Sequence, residues 1–170
     1  MLAHASGFRR SNGEMFLLEL KTVEPPETNI GEAGHSQDDT LDTTEFSNIT
    51  IVIVEDNMDT LSSLTRFLHG QGAVVFGAAN ASDGLQAVKE YHPNVVLSDI
   101  NLPYRDGFEL LSNIRALGIE NGGATPIIAM TAVSGLADPN RMTAAGFQGQ
   151  LKKPFLPDQL VDEIKLALRG

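Results

Sequence analysis

The 170-residue sequence predicts an α/β fold, a parallel sheet with helices on both faces. Three observations lead to this prediction. From residue 49 onward, short apolar runs of strand length alternate with amphipathic segments of helix length. Regular alternation of this kind is typical of βαβ units, whose crossovers are right-handed. Most of the apolar runs also end at polar or charged residues, as expected where parallel strands emerge at a ligand-binding edge.

The first strand and helix have the clearest signals. ITIVIV (49–54) is rich in β-branched side chains and predicts a central strand. Asp56 or Asn57 can cap the helix that follows, because a side-chain oxygen there accepts from a free amide of the first turn. We expect this helix to run to about Leu68, with Gly70 just past its end.

The next three elements complete the first half of the domain. Ala73–Ala78 predicts a second strand, and Ser82 begins a helix that ends before Pro93. Val95–Asp99 predicts a third strand whose apolar run is typical of burial on both faces. Asp99 closes that strand with a carboxylate.

The second half repeats the alternation with weaker signals. The last strand has the lowest β-propensity, while the last helix has apolar residues at regular helical spacing. The predicted elements are a helix over Phe108–Leu117 stopped by Gly118, a strand over Ile127–Met130 ending at Thr131, a helix over Pro139–Ala145, a strand over Gln148–Lys152 and a helix over Leu156–Leu168.

Three regions are predicted along the chain. Residues 1–21 form an N-terminal extension. Asn12-Gly13 predicts a hairpin turn within it, so the extension is either a hairpin or a remnant of a preceding domain. Residues 22–48 are acidic with few large apolar side chains, so we expect a flexible linker. Residues 49–170 hold the α/β domain.

Composition excludes several classes of protein. There are no cysteines, which excludes disulfides and thiolate metal sites and is compatible with the expected cytoplasmic location. No apolar run reaches the length that a membrane-spanning helix needs. The net charge of −10 comes without a basic stripe, so we expect neither nucleic acid nor a membrane surface as a partner.

Polar side chains at four strand ends define the candidate site. Glu55 and Asp56 follow the first strand, Asp99 ends the third, Thr131 the fourth, and Lys152-Lys153 the fifth. The carboxyl ends of parallel strands share one edge, so these groups are expected in one pocket. Each has a simpler explanation as a cap or a solvated strand end, but four such ends together favour a phosphoryl-handling site.

Electrostatics points to a metal ion in this pocket. Each close pair of carboxylates costs about 4 kcal/mol at about 4 Å and an effective dielectric of about 20. One lysine cannot offset three carboxylates, whereas Mg²⁺ prefers carboxylate, water and phosphate oxygens. With the charge neutralised, Asp99 can attack phosphorus as a nucleophile while Thr131 and Lys153 contact the transferred group. We choose Lys153 over Lys152 because a strand alternates its side chains, and a cis Lys153–Pro154 bond would fix the turn.

The motifs resemble those of a known family. The matching segments are IVIVED (51–56), VVLSDINLPYRDG (95–107), IIAMTA (127–132) and KKPF (152–155). In this order they resemble a response regulator receiver domain, the phospho-acceptor module of two-component signalling. The resemblance covers residues 49–170 and implies a flavodoxin-like, doubly wound sheet of five parallel strands in the order 2-1-3-4-5.

The resemblance also implies residue roles, a cofactor and partners. Asp99 would be the phosphorylated residue, with Thr131 and Lys153 on the phosphoryl group. Mg²⁺ would be held by Glu55, Asp56 and Asp99, and by the backbone carbonyl of Asn101. The phosphoryl donor would be a histidine on a sensor histidine kinase or phosphotransfer protein, and the modified domain would change its binding to a downstream protein target. The domain would be a signalling module rather than an enzyme with an external substrate, and a homodimer is left open.

One position departs from the family pattern. Three residues before the pocket lysine, where receivers usually have an aromatic side chain, this chain has Gln150. Acceptor chemistry does not need that ring, but the usual route of the signal to the face formed by the fourth helix, fifth strand and last helix is in doubt. Either a Gln150–Thr131 hydrogen bond replaces the ring or the output uses another surface.

Two other functions are alternatives to the phospho-acceptor switch, and one larger context is compatible with it. A receiver-like module that only docks partners would be expected to lack Asp99, Lys153 or the acidic pair, and all are present. A phosphatase of the haloacid-dehalogenase kind needs Asp-x-Asp after its first strand, which EDNM (55–58) does not supply. SNGEMFLLEL (11–20) weakly resembles the closing strand of a histidine-kinase ATPase domain, which would make the chain the C-terminal receiver of a hybrid kinase.

Overall fold

A computed structural model describes residues 6–9, 15–18, 45–103, 106–132 and 138–170. In these residues, alternating strands and helices follow the predicted order. The strands are β1 (Ser6–Arg9), β2 (Met15–Leu18), β3 (Thr50–Val54), β4 (Val74–Ala78), β5 (Val95–Asp99), β6 (Ile127–Thr131) and β7 (Gly149–Lys152). The helices are α1 (Met58–Gly70), α2 (Ala81–Tyr91), α3 (Gly107–Arg115), α4 (Pro139–Ala145) and α5 (Pro157–Ala167), with a 3-10 turn at Ile119–Asn121.

The core of the sheet has the predicted topology. Strands β4, β3, β5, β6 and β7 lie side by side in parallel, which is the order 2-1-3-4-5 of the five predicted strands. At the β4 edge, β1 pairs with β4 in parallel and with β2 in antiparallel, so the described sheet has seven strands. In the described residues, no helix combines the length and the apolar character needed to cross a bilayer.

Local sequence signals explain where the helices begin. The Asn57 side chain accepts from the Thr60 amide at 2.9 Å and so caps α1 as predicted. Asp106 caps α3 in the same way. Gly70, expected just past α1, is its last residue, and the left-handed turn lies at Gly72 with φ of 89°.

Two apolar layers lie on opposite faces of the sheet, because alternate residues of each buried strand point to opposite sides. Ile51 and Ile53 of β3 pack with α1 and α5, while Val52 and Val54 pack with α2, α3 and α4. Both faces of β5 are covered, and each of its five residues is buried. The layers therefore hold the carboxyl ends of the central strands in a rigid frame.

The ordered domain begins before the predicted boundary at Ile49. Phe46, which was assigned to the flexible linker, is 1% exposed and belongs to the apolar layer beneath α1 and α5. Its amide donates to the Gln71 carbonyl at 2.9 Å, and Glu45 pairs with Lys165 at 2.5 Å. The linker assignment therefore does not hold for residues 45–48, because a single buried aromatic side chain stabilises this turn. Residues 22–44 lie outside the described ranges.

Candidate functional site

The carboxyl ends of four strands bring the predicted polar groups together. Glu55 follows β3, Asp99 ends β5, Thr131 ends β6 and Lys153 follows β7. The Lys153 ammonium lies 2.6 Å from Glu55 Oε2 and 2.6 Å from Asp99 Oδ2. The backbone places Thr131 beside it, since the Lys153 amide donates to the Thr131 carbonyl at 2.7 Å. Side chains nearly a hundred positions apart in the chain therefore share one pocket.

Asp99 is largely buried but held in one orientation. Asp99 as a whole is 7% exposed. Oδ1 accepts from the Asn101 amide at 2.9 Å, while Oδ2 accepts from Lys153. Two donors on two different oxygens fix the carboxylate plane, which is the preorganisation expected of a reactive group.

Three carboxylates form a cluster that can accept a divalent cation. Glu55, Asp56 and Asp99 each offer one oxygen, and these oxygens lie within 4.8 Å of one another. Glu55 and Asp99 are buried, whereas Asp56 is exposed at the mouth of the cluster. Hard cations such as Mg²⁺ select oxygen donors of this kind and retain waters on the open side. The donor set therefore fits the predicted metal.

Among the described residues, the pocket contains more acidic side chains than basic ones. Burial raises the pKa of the Glu55 carboxyl above its ordinary value; Lys153 opposes this effect and the charge of Asp99 adds to it. Burial acts to lower the pKa of the Lys153 ammonium, but its bonds to Asp99 and Glu55 outweigh burial and the pKa is raised. Lys153 therefore stays protonated at neutral pH and is the one cation that the described residues place among these three acidic side chains.

Thr131 provides a buried hydroxyl that makes no hydrogen bond to the described residues. It is 3% exposed, and its Oγ1 has no hydrogen-bond partner among the described residues. A buried hydroxyl without a partner costs free energy, so it is commonly found where a ligand completes the site. The Gln150–Thr131 hydrogen bond considered from the sequence is not formed in this structure.

The choice between the two adjacent lysines is resolved by the geometry. Lys152, the last residue of β7, is exposed, whereas Lys153 reaches both Glu55 and Asp99. The Lys153–Pro154 bond is cis, the isomer considered from the sequence for this turn. Lys153 is therefore the pocket cation.

Asn101 and Asn57 contribute backbone amides. The Asn101 amide orients Asp99, and the Asn101 residue itself is exposed. The Asn57 amide lies 3.3 Å from Glu55 Oε1, so it supports the second oxygen of the carboxylate that Lys153 contacts. The predicted use of the Asn101 carbonyl as a metal ligand stays a prediction. The Asn57 contact was missed from the sequence, where this residue was read only as a helix cap.

Gly107 is a further supporting residue that sequence reasoning did not single out. A Cβ at this first residue of α3 would lie 2.7 Å from the Asp99 carbonyl oxygen and 3.0 Å from the Ile100 Cα. Both contacts are to backbone, which cannot swing aside as a flexible side chain would. Glycine therefore allows α3 to begin directly against the end of β5. The signal was present in the sequence as the glycine of LPYRDG (102–107).

This packing makes a testable prediction. We expect Gly107→Ala to lower the free energy of unfolding by about 1–3 kcal/mol, because overpacking forces the backbone of β5 and α3 apart. Urea denaturation measures the change. Gly70→Ala is the matched control, because a Cβ there meets nothing within 4 Å and alanine favours a helix. Equal stability of the two variants would contradict the proposed close approach at Asp99.

Comparisons with known proteins agree with this geometry. The response regulator receiver domain family matches the chain over residues 51–165, a range that contains every residue of the pocket. The match begins within β3 and ends within α5, so it covers the whole five-stranded core and excludes β1 and β2.

Three relatives differ greatly in length. An uncharacterized protein of Leptolyngbya boryana is 34% identical over 116 residues, covering 68% of this chain and 87% of that protein. The transcriptional regulatory protein PrrA of Mycobacterium tuberculosis is 31% identical over 119 residues, covering 70% of this chain and 49% of PrrA. The peroxide stress-activated histidine kinase mak2 of Schizosaccharomyces pombe is 35% identical over 122 residues, covering 67% of this chain and 5% of that kinase. The chain thus spans about half the length of PrrA.

Two solved structures have the same architecture. A CheY-like response regulator receiver domain protein from Methanospirillum hungatei is 30% identical with a TM-score of 0.64, covering 71% of this chain and 94% of that one. The receiver domain of the sensor histidine kinase PA1611 from Pseudomonas aeruginosa is 29% identical with a TM-score of 0.64, covering 72% and 98% of the two chains. That structure has a magnesium ion coordinated in its active site cleft.

Proposed function

This chain belongs to the response regulator receiver domain family, and from that premise we propose that it is a phospho-acceptor switch in which Asp99 takes a phosphoryl group from a phosphohistidine. Receiver domains are signalling domains of two-component systems. The observation that carries the assignment is the pair of 2.6 Å contacts from Lys153 to Asp99 and Glu55, beside a buried hydroxyl that has no partner in the described part of the chain. A simple helix-capping aspartate would need none of these neighbours.

The proposed transfer is a displacement at phosphorus. One oxygen of Asp99 forms a bond to phosphorus as the phosphorus–nitrogen bond to the donor imidazole breaks. The bonding electrons leave with the imidazole nitrogen, which takes a proton from solvent. The product is an acyl phosphate on Asp99, and attack of water on its phosphorus later restores the carboxylate and releases inorganic phosphate.

Lys153 and Thr131 have complementary roles in this step. The Lys153 ammonium already lies 2.6 Å from Asp99 Oδ2, so a small movement transfers its hydrogen bond to an oxygen of the incoming group. The Thr131 hydroxyl can donate to another phosphoryl oxygen without first breaking a hydrogen bond to any described residue. Ala132, which follows Thr131 and is exposed, leaves the approach to Asp99 open.

Glu55, Asp56 and Asp99 are proposed to hold Mg²⁺. When bound, Mg²⁺ supplies positive charge that offsets the carboxylates and the oxygens of the phosphoryl group. Glu55 is suited to a supporting role, because both of its oxygens already accept from the protein, one from Lys153 and one from the Asn57 amide. Asp56, exposed at the mouth, is suited to direct contact with the ion.

Metal dependence tests this function directly. On incubation with acetyl phosphate, we expect the chain with Mg²⁺ to gain one phosphoryl group and the chain with excess EDTA to gain it at least about 100-fold more slowly, because the charge of the metal contributes several kcal/mol. Intact-mass measurement follows the reaction, and peptide mapping locates the group. Equal labelling in EDTA would contradict the metal assignment, and a label away from Asp99 would contradict the acceptor assignment.

We also propose that the domain acts within a larger signalling context. A sensor histidine kinase or a phosphotransfer protein would supply the phosphoryl group, and a downstream protein would bind the modified domain. The relatives PrrA and mak2 contain a domain of this kind within longer chains. The weak resemblance of residues 11–20 to a kinase strand makes a hybrid kinase one such context, and a plain N-terminal extension is the alternative. Purification of the full-length protein that contains this chain, followed by an assay for autophosphorylation on histidine, would test the hybrid-kinase arrangement.

A further inference from the structure

The edge strand β7 is connected to α5 by a polar contact that the proposed phosphorylation chemistry does not require. The Gln150 amide donates to Glu163 Oε1 at 2.8 Å. Among the described residues β7 pairs with β6 alone, so alternate amides on its outer side have no described strand to pair with. The Glu163 carboxylate of α5 accepts the hydrogen bond from the Gln150 amide that a neighbouring strand would otherwise accept.

Gly149 makes this contact sterically possible. A Cβ at Gly149 would lie 2.5 Å from Glu163 Oε1 and 3.2 Å from its Cδ, so a side chain at this position would displace the carboxylate. The backbone of Gly149 is not in the left-handed region, so the need for glycine is one of space. Two adjacent residues of β7 are therefore matched to one carboxylate of α5.

The contact also divides the surface beside β7. A cavity of about 610 Å³ along α5 is lined by Gln150, Lys153 and Glu163, and a cavity of about 350 Å³ beneath α4 is lined by Gln150, Glu163 and Met142. Glu163 and Gln150 belong to both walls. The Gln150–Glu163 contact therefore lies at the boundary between the two cavities.

The same short strand leads to the phosphorylation pocket. Lys153 lies three residues beyond Gln150, and its amide is held by the Thr131 carbonyl. A shift of Lys153 toward a phosphoryl group would pull on β7, which contacts α5 through the Gln150–Glu163 hydrogen bond and through the apolar packing of Leu151. This is also the position at which the family's usual aromatic residue is absent.

We propose that Gly149, Gln150 and Glu163 form a latch that fastens β7 to α5 and passes a movement of Lys153 to that helix. The latch itself is independent of phosphorylation, whereas its use in signalling depends on the function proposed above. Glu163 is a positioning residue, because it touches none of the reacting groups.

Residue-specific hydrogen exchange of the unmodified chain tests the latch. We expect Glu163→Ala to accelerate exchange of the Gln150 amide at least about 10-fold, a change of about 1.4 kcal/mol, because a hydrogen bond to a charged acceptor is lost. Glu163→Gln, which retains an acceptor oxygen, should restore slow exchange.

Gly149→Ala should reproduce the fast exchange with Glu163 intact, and the double variant should be no faster than either single one. The exposed neighbour Asp162→Ala is the matched control. Unchanged Gln150 exchange in Glu163→Ala would overturn the latch.

A second measurement tests its role in signalling. After treatment with acetyl phosphate and Mg²⁺, wild type should show altered exchange in α5, while Glu163→Ala should gain the same phosphoryl mass without that change. An equal response of α5 in both proteins would overturn the coupling. Failure of wild type to gain a phosphoryl group would refute the proposed function and the coupling with it, while the exchange of Gln150 in the unmodified chain still decides whether the latch exists.

Discussion

Asp99→Asn is expected to reduce phosphorylation by acetyl phosphate and Mg²⁺ by at least about 10³-fold, to below detection by intact mass, because removal of a nucleophile can cost about 10⁶ in rate. Asparagine has nearly the same shape and can keep the hydrogen bond from the Asn101 amide, which lies at 2.9 Å in the wild-type chain. The loss would therefore report on chemistry rather than on folding. The time course of the mass shift, with peptide mapping of any residual label, measures the effect.

Asp158→Asn is the control for this experiment. Asp158 lies in the first turn of α5, is exposed and has no place in the pocket, so its variant should be labelled like wild type. Asp56 is a second carboxylate near the incoming phosphorus, and mapping distinguishes a label there from one on Asp99. Undiminished labelling of Asp99→Asn at any residue would refute Asp99 as the acceptor.

Lys153→Ala is expected to separate metal binding from phosphoryl transfer. Removing the only cation that contacts Asp99 and Glu55 among the described residues leaves two buried carboxylates unneutralised. Mg²⁺ should therefore bind about tenfold more tightly, a change of about 1.4 kcal/mol. Phosphorylation should nevertheless slow by about 10²–10³-fold, the usual effect of losing one charge-stabilising donor. Metal titration followed by calorimetry, and labelling kinetics at saturating Mg²⁺, give the two quantities.

Lys152→Ala is the matched control, since the neighbouring lysine is exposed and makes neither contact. Equal effects of the two variants would show that the pocket lysine is wrongly assigned.

The raised pKa of Lys153 predicts that its contribution to the stability of the fold depends on pH. Because the folded state favours the charged ammonium, its contribution to stability is complete below the ordinary lysine value of about 10.4 and is lost as pH rises through the folded value. The Lys153→Ala variant should lack that alkaline component.

Most of the pocket could be predicted because its reactive residues stand at the ends of strands that the sequence itself predicts. Alternating apolar and amphipathic segments indicate parallel strands, and parallel strands share a carboxyl edge, so Asp99, Thr131 and Lys153 had to converge. The choice of Lys153 over Lys152 followed from the alternation of side chains along β7 and agrees with its contacts.

Contacts that depend on the exact spacing of elements could not be predicted. The burial of Phe46 depends on a space between α1 and α5 that no local composition reveals, and an acidic surrounding sequence indicated a linker instead. The Gln150–Glu163 contact joins two elements whose separation is set by core packing. The sequence showed that an aromatic residue was missing at Gln150, but only the coordinates show which group on α5 contacts the backbone there.

By itself, the amino-acid sequence determined the α/β class, the strand order through its family resemblance, and the identity of the groups that meet in the pocket. The tertiary structure decided their surroundings: Lys153 is shared between two carboxylates, the Thr131 hydroxyl has no partner among the described residues, and Gly107 lies against the Asp99 backbone. The physical reason is the range of the forces involved. Hydrophobic periodicity and capping act over a few residues and leave a readable pattern, whereas ion pairing and close packing depend on distances of a few tenths of an ångström between segments far apart in the chain.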